Sequence, residues 1–248
     1  MQWPLRDSMR FDPDGTASDD NGHVAVFGAP SSTRYRHGVL GDAVEPTALL
    51  LLERHGLEAM GQLELPAPHV FEDIAPRPVA WRGRRGLLTV RSGPLGAQLV
   101  IVARAATAPG RFELAAVGEP IGMPNRWLSP STDGRRLLAV HTPHLDGVLH
   151  RYTLQGERLV GRIIARGFGN HAIGQRDLDV SAWVGRRWVV PARDRRSLVV
   201  VDVDEVSADG TVALPSPVTA LQPWRRGTDA GVVALLQDGS AWWVPVTA

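Results

Sequence analysis

The chain has 248 residues with 27 basic and 26 acidic side chains, and its formal charge of +1 is too balanced to gather nucleic acid or an anionic membrane over the surface. Every basic residue is Arg, as GC-rich coding favours, so lysine Schiff-base and P-loop chemistry are excluded; the absence of Cys excludes disulfides, thiolate metal sites and cysteine nucleophiles. Apolar runs such as Ala48 to Leu52 are far too short to span a bilayer, and MQWPLRDSMRFDPDG holds no apolar segment of signal-peptide length.

Taken in chain order, apolar runs arrive in pairs separated by polar turns, and the pairs recur about every 40 to 60 residues, the spacing of propeller blades. The first members begin near His23 (VAVFGA), Gly86 (LLTV), Arg136 (LLAV), Arg187 (WVVPA) and Gly231 (VVALL). The second members begin at Ala48 (ALLLLE), Leu99 (LVIVAR), Val148 (VLHRYTL), Leu198 (LVVVDV) and Ala241 (AWWVPV). An inner strand with a tryptophan precedes each of the last four pairs, at Trp81, Trp127, Trp183 and Trp224, with Phe11 in that place in the first. Large rings suit the crowded core between blades. Glu45 to Gly56 has the Pro and Gly punctuation of a helix, but the repeat needs a strand there. Asp14-Gly15, Asn21-Gly22, Asp133-Gly134, Asp146-Gly147, Asp209-Gly210 and Asp238-Gly239 accept the positive φ of tight hairpins, and several lie between adjacent runs. The expected fold is therefore all-β, a five-bladed β-propeller forming one domain over residues 1–248. The last copy ends without an outer strand, so Met1 to Arg6, with Trp3 and Leu5, is expected to pair there as the N-terminal strand that closes the last blade.

Asp19-Asp20-Asn21-Gly22-His23-Val24-Ala25-Val26-Phe27-Gly28-Ala29-Pro30 resembles the FG-GAP (VCBS-type) repeat, whose aspartate-rich loop precedes a strand ending in Gly-Ala-Pro. Gln175 to Val203 resembles a degraded copy, with Val184-Gly185-Arg186-Arg187 where the loop aspartates would stand. Ser129-Pro130-Ser131-Thr132-Asp133-Gly134 is similar to the signature of TolB-like and WD-like blades. These likenesses imply a propeller and carry no activity with them.

In a propeller, the connections that enter inner strands and those that join second to third strands gather at one mouth of the ring. Arg36, His37, Asp42, Glu72, Asp73, Asn125, Arg126, His171, Arg176, Asp177 and Arg193 fall on such connections, as do Tyr35, Glu45 and His144. Arg is a planar fork of donors suited to carboxylates and phosphates, and neighbouring acids can hold it in place. The mouth is thus expected to recognise a small polar or anionic ligand or a protein partner, with no nucleic acid and no membrane span. Asp12, Asp14, Asp19, Asp20 and Asn21 form a calcium candidate, since Ca²⁺ takes several oxygens from one loop, although their order is not that of an EF-hand. His141-x-x-His144-x-Asp146 has three ligand types in six residues, but a hairpin of that length can point all three outward. The preferred reading is a non-enzymatic binding protein. The alternative is a hydrolase or lyase for a carbohydrate-like substrate, which would need buried, mutually close carboxylates with shifted pKa in the channel.

Overall fold

Apolar runs joined by short polar turns favour antiparallel hairpins in series, and the computed structural model shows this through the residues it describes, 9–11, 23–53, 56–106, 108, 110–176 and 180–246. Among these residues there is no α-helix, and the one helical turn is a 3-10 turn at Gly38–Leu40. The first sheet runs in order through β1 (Met9–Phe11), β2 (His23–Ser31), β3 (Glu45–Glu53) and β4 (Ala59–Glu64). The segment with helix punctuation is thus strand β3.

A nine-stranded sheet follows, built from two meanders. One contains β5 (Val70–Phe71), β6 (Arg77–Trp81), β7 (Arg84–Ser92), β8 (Gln98–Arg104) and β9 (Phe112–Gly118). The other contains β10 (Leu128–Thr132), β11 (Leu137–His141), β12 (Val148–Gln155) and β13 (Arg158–Arg166). A short parallel seam joins them, with Arg158 opposite Val117 and Leu159 opposite Gly118. The third sheet is β14 (Ala182–Val184), β15 (Arg187–Pro191), β16 (Ser197–Asp202) and β17 (Ser207–Ala213). The last is β18 (Val218–Arg226), β19 (Asp229–Leu236) and β20 (Ala241–Pro245). Every paired run expected from the sequence is a strand whose start lies within three residues of the expected one.

Burial is graded across each meander. The middle strands β8 and β11 are buried at nearly every position, so they read as continuous apolar runs, whereas the last strands β4 and β17 are largely exposed and polar. Four apolar clusters bind consecutive meanders. Ala25, Leu49, Phe71 and Leu87 join the first sheet to β5–β9; Trp81, Leu99, Trp127 and Leu128 join β5–β9 to β10–β13. Leu138, Leu149, Trp188 and Val201 join β10–β13 to the third sheet, and Val189, Leu198, Val232 and Val244 join the third to the last.

Two local expectations are corrected. Trp81 and Trp127 are buried as foreseen, but Trp224 is 62 % exposed, and the ring buried in the third sheet is Trp188, whose indole donates to Ser131 and Ser181. Asp209-Gly210 is not a hairpin turn. It lies within β17, where a register shift between Val200 and Val201 leaves Asp209 as the extra residue of a bulge. By contrast, Asp133-Gly134 turns β10 into β11, with Asp133 accepting the amides of Arg135 and Arg136 and Gly134 at φ +91°. Gly147, at φ +57°, comes so close to the Phe168 carbonyl that a Cβ there would lie 1.9 Å from the oxygen. The expected closing strand Met1 to Arg6 and the calcium candidate Asp12 to Asn21 lie outside the described residues, as does Asp177.

Candidate functional site

The first strand of the second meander is interrupted. Val70 and Phe71 pair with Ser92 and Arg91, the chain then leaves the ladder, and pairing resumes at Arg77 with Leu88. Glu72 and Asp73 occupy this break, 0 % and 3 % exposed. Asp73 holds the break together by accepting from Thr89, from Arg77 and from the Ile74 amide.

Glu72 is the hub of the site. Its Oε1 lies 2.5 Å from His37 Nδ1, a contact that needs a proton between them, and its Oε2 accepts from Ser92 at 2.5 Å. Its backbone carbonyl accepts the indole N–H of Trp127 at 2.9 Å. Three connections are therefore tied together: the loop after β2, the break before β6 and the entry to β10. Tyr35, whose ring meets His37 edge-on at 6.0 Å, accepts the Asn125 amide and strengthens the same link.

The loop before β14 completes the mouth. His171, buried, lies 4.6 Å from the Trp127 ring and 6.4 Å from His144, and its Nε2 meets the Gln175 carbonyl. Gly174 donates to Val39, which brings the segment against the 3-10 turn, and exposed Arg176 reaches Asp42 at 3.4 Å. The structure therefore brings His37, Asp42, Glu72, Asp73, Asn125, Arg126, His171 and Arg176 to one end of the strands. Arg36, in the same loop as His37, donates to the Ser32 carbonyl, and Arg193, in the β15–β16 turn at the same end of the strands, is bonded through its amide to Gly167.

Low-dielectric surroundings shape the charges here. Burial pushes the Glu45 carboxyl up to about 9, with repulsion from Glu72, Asp42 and Asp73 adding to it and Arg176 opposing. Burial also raises Glu72, against the lowering effect of its bonds to His37 and Ser92. The Tyr35 hydroxyl is pushed up to about 12 by burial and by Glu72. His144 is held below its usual range by burial, then by His37 and Arg126. His141 points elsewhere. It stacks on His150 at 3.7 Å and bonds Tyr152, so the His141, His144, Asp146 grouping is split, and no cluster suited to a metal occurs among the described residues.

Around the mouth stand exposed apolar side chains, Val44, Leu95, Met123, Leu145 and Ile173, one on each of five loops. Gly122 donates to the Leu95 carbonyl, which sets two of these loops side by side. Sequence reading did not single out this collar, because isolated apolar residues in loops are ordinary until the loops are known to converge. Ser92 was missed for a similar reason: a strand serine announces nothing about the carboxylate it will face.

No family model matches the sequence, and no curated protein sequence matches it. Among solved structures, BBS1N in complex with ARL6DN is similar over 97 % of this chain and 77 % of that one, with a TM-score of 0.52 and 12 % identity. The fold is β-propeller-like. The dihydro-heme d1 dehydrogenase NirN in complex with DHE aligns over 91 % of this chain and 51 % of that one, with a TM-score of 0.49 and 12 % identity, so the chain spans about half of that protein. At such identities the likeness concerns fold alone. No helix among the described residues is long and apolar enough to cross a membrane.

Proposed function

We propose that the chain is a single-domain, non-enzymatic β-propeller whose mouth docks a protein partner that presents an anionic group to Arg126 and Arg176. The observation that carries this reading is the buried frame of Tyr35, His37, Glu72, Ser92 and Trp127. It fixes several loops beneath an exposed apolar collar and a charged rim. Preorganised loops bind without a large ordering cost, and apolar anchors beside arginines are the usual content of a docking surface. BBS1N, a structural neighbour, is itself seen in complex with ARL6DN. Partner capture with wild-type protein, followed by titration of the purified partner, tests the reading. Arg126→Ala and Leu145→Asp should each weaken binding at least about tenfold with unchanged circular dichroism. A partner indifferent to both variants would overturn it.

A second reading is kept because one observation favours it. Glu45 and Glu72 are buried, electrostatically coupled and shifted upward, which a propeller hydrolase or lyase for a carbohydrate-like substrate would require. Against it, both oxygens of Glu72 are already occupied by His37 and Ser92, and neither carboxyl is open to a substrate as large as a sugar.

The ring itself is read as five blades, by dividing the nine-stranded sheet at its two-residue parallel seam and counting the last sheet as a blade that lacks its outer strand. On this reading Met1 to Arg6 supplies that strand, and His23 to Pro30 belongs to an FG-GAP-like repeat. Deleting Met1 to Asp7 should then lower the melting temperature by about 2–4 °C for each kcal/mol lost at this length. An unchanged thermal scan would argue against closure.

A further inference from the structure

The ends of the strands opposite the mouth carry a separate feature. A groove of ≈ 850 Å³ lies between the β14–β15 and β18–β19 turns, lined by Trp183, Arg186, Arg187, Pro223, Trp224 and Arg225 among others. Its origin is a mismatch of lengths: β18 has nine residues and β14 only three, so the far part of the β18–β19 hairpin projects beyond its neighbour. Trp224 stands on that projecting part, the most exposed large aromatic side chain among the described residues.

Among the described residues, the lining has three arginines and no carboxylate. Two of the arginines are held from outside the groove by their Nε atoms, Arg186 by Asp202 at 3.0 Å and Arg187 by Asp209 at 2.7 Å. Asp209 is the bulge residue of β17, so the irregularity in that strand is what aims its carboxylate at Arg187. Arg225 is exposed and meets no carboxylate among the described residues. An aromatic face beside oriented guanidinium groups is a recognition surface, because the ring takes apolar area while each fork can take a carboxylate.

We propose that this groove docks an extended, acidic segment of a partner protein, with an apolar side chain against Trp224 and carboxylates on Arg186 and Arg225. A peptide fits better than a nucleic acid, because Asp202, Glu205 and Asp209 flank the arginines and would repel a continuous row of phosphates. Carboxylates on one face of an extended peptide are instead about 7 Å apart, with apolar side chains facing the other way. Pro223 lacks an amide, so recognition runs through side chains rather than through strand addition.

The test uses the full chain and a fluorescein-labelled pool of ten-residue peptides in which Glu alternates with Leu, Phe or Val. Fluorescence anisotropy should show salt-sensitive binding that weakens at least tenfold with Trp224→Ala and with Arg225→Glu, while circular dichroism is unchanged. Replacing Glu by Gln in the pool should abolish it. No binding to the wild type, binding by both variants equal to that of the wild type, or tighter binding of a single-stranded oligonucleotide would overturn the proposal. So would tighter peptide binding by the Asp19→Asn, Asp20→Asn double variant, since the chain's own acidic run would then be the competing occupant. Mouth variants such as Arg126→Ala should leave this binding untouched, which separates it from the reading of the opposite face.

Discussion

Trp127→Ala is expected to destabilise the protein by about 3–5 kcal/mol. The ring is 0 % exposed and lies in the cluster that binds β5–β9 to β10–β13. Its removal leaves a cavity that the surrounding strands can close only in part. It also strips the Glu72 carbonyl of its indole donor and His171 of its ring contact. Trp127→Phe separates the two contributions: most of the apolar area stays while the donor is lost, so the cost should fall to about 1–3 kcal/mol. Urea titration of both variants checks the ranking. Equal stabilities for the Ala and Phe variants would mean that ring volume contributes nothing at this position, contrary to its complete burial.

Glu45→Gln is expected to stabilise the protein above neutral pH and to change little in mild acid. Burial, then Glu72, Asp42 and Asp73, raises the Glu45 carboxyl from 4.5 to about 9 in the folded state. The folded chain therefore holds a proton that the unfolded chain releases above 4.5. Stability from this group is complete below about 4.5 and is lost as pH rises toward 9. Between about pH 5 and about pH 8 the loss reaches about 2–4 kcal/mol. Gln keeps the shape and cannot ionise, so this alkaline decline should flatten. The acid side should persist in the variant because it has another source. His141, lowered to about 3 by burial and by His150, gives stability that is complete above about 6.5 and lost as pH falls toward 3. Melting temperatures for wild type and variant across this range are the measurement. A parallel decline of both above neutral pH would remove Glu45 from the account.

The strands were legible because burial writes itself into sequence in simple ways. Middle strands buried on both faces read as LLAV, LVIV or LVVV, and no other economical explanation fits such runs between Asp-Gly turns. What escaped was anything decided by a neighbour distant in the chain. Asp209-Gly210 has the letters of a turn, yet β16 pairs across it and converts it to a bulge. Trp224 has the letters of a core ring, yet β14 is too short to cover it. At the mouth, the charged loop residues were visible, but not that Glu72 would be wholly enclosed or that Ser92 would be its partner. Periodicity says which face of a strand is buried; it does not say which two loops will meet above it.

The seam between β9 and β13 has a dynamic corollary. Elsewhere consecutive meanders meet mainly through side chains and single backbone contacts, such as the Gln62–Arg111 bridge and the Val218 amide on the Arg195 carbonyl, and such contacts can loosen one unit at a time, as in repeat arrays whose units open semi-independently. Here Arg158 and Leu159 lie in register with Val117 and Gly118, Val117 donates to the Glu157 carbonyl, and Arg158 pairs with Glu119 at 2.7 Å. Opening either meander means breaking main-chain bonds to the other. Amide protons on β7, β8, β11 and β12 should accordingly exchange with solvent as a single slow class, a double-sized foldon flanked by units that breathe more freely. The mouth's hub, Glu72, and its anchor, Trp127, stand on the two halves of that foldon, so the site rests on the part of the chain least prone to come apart.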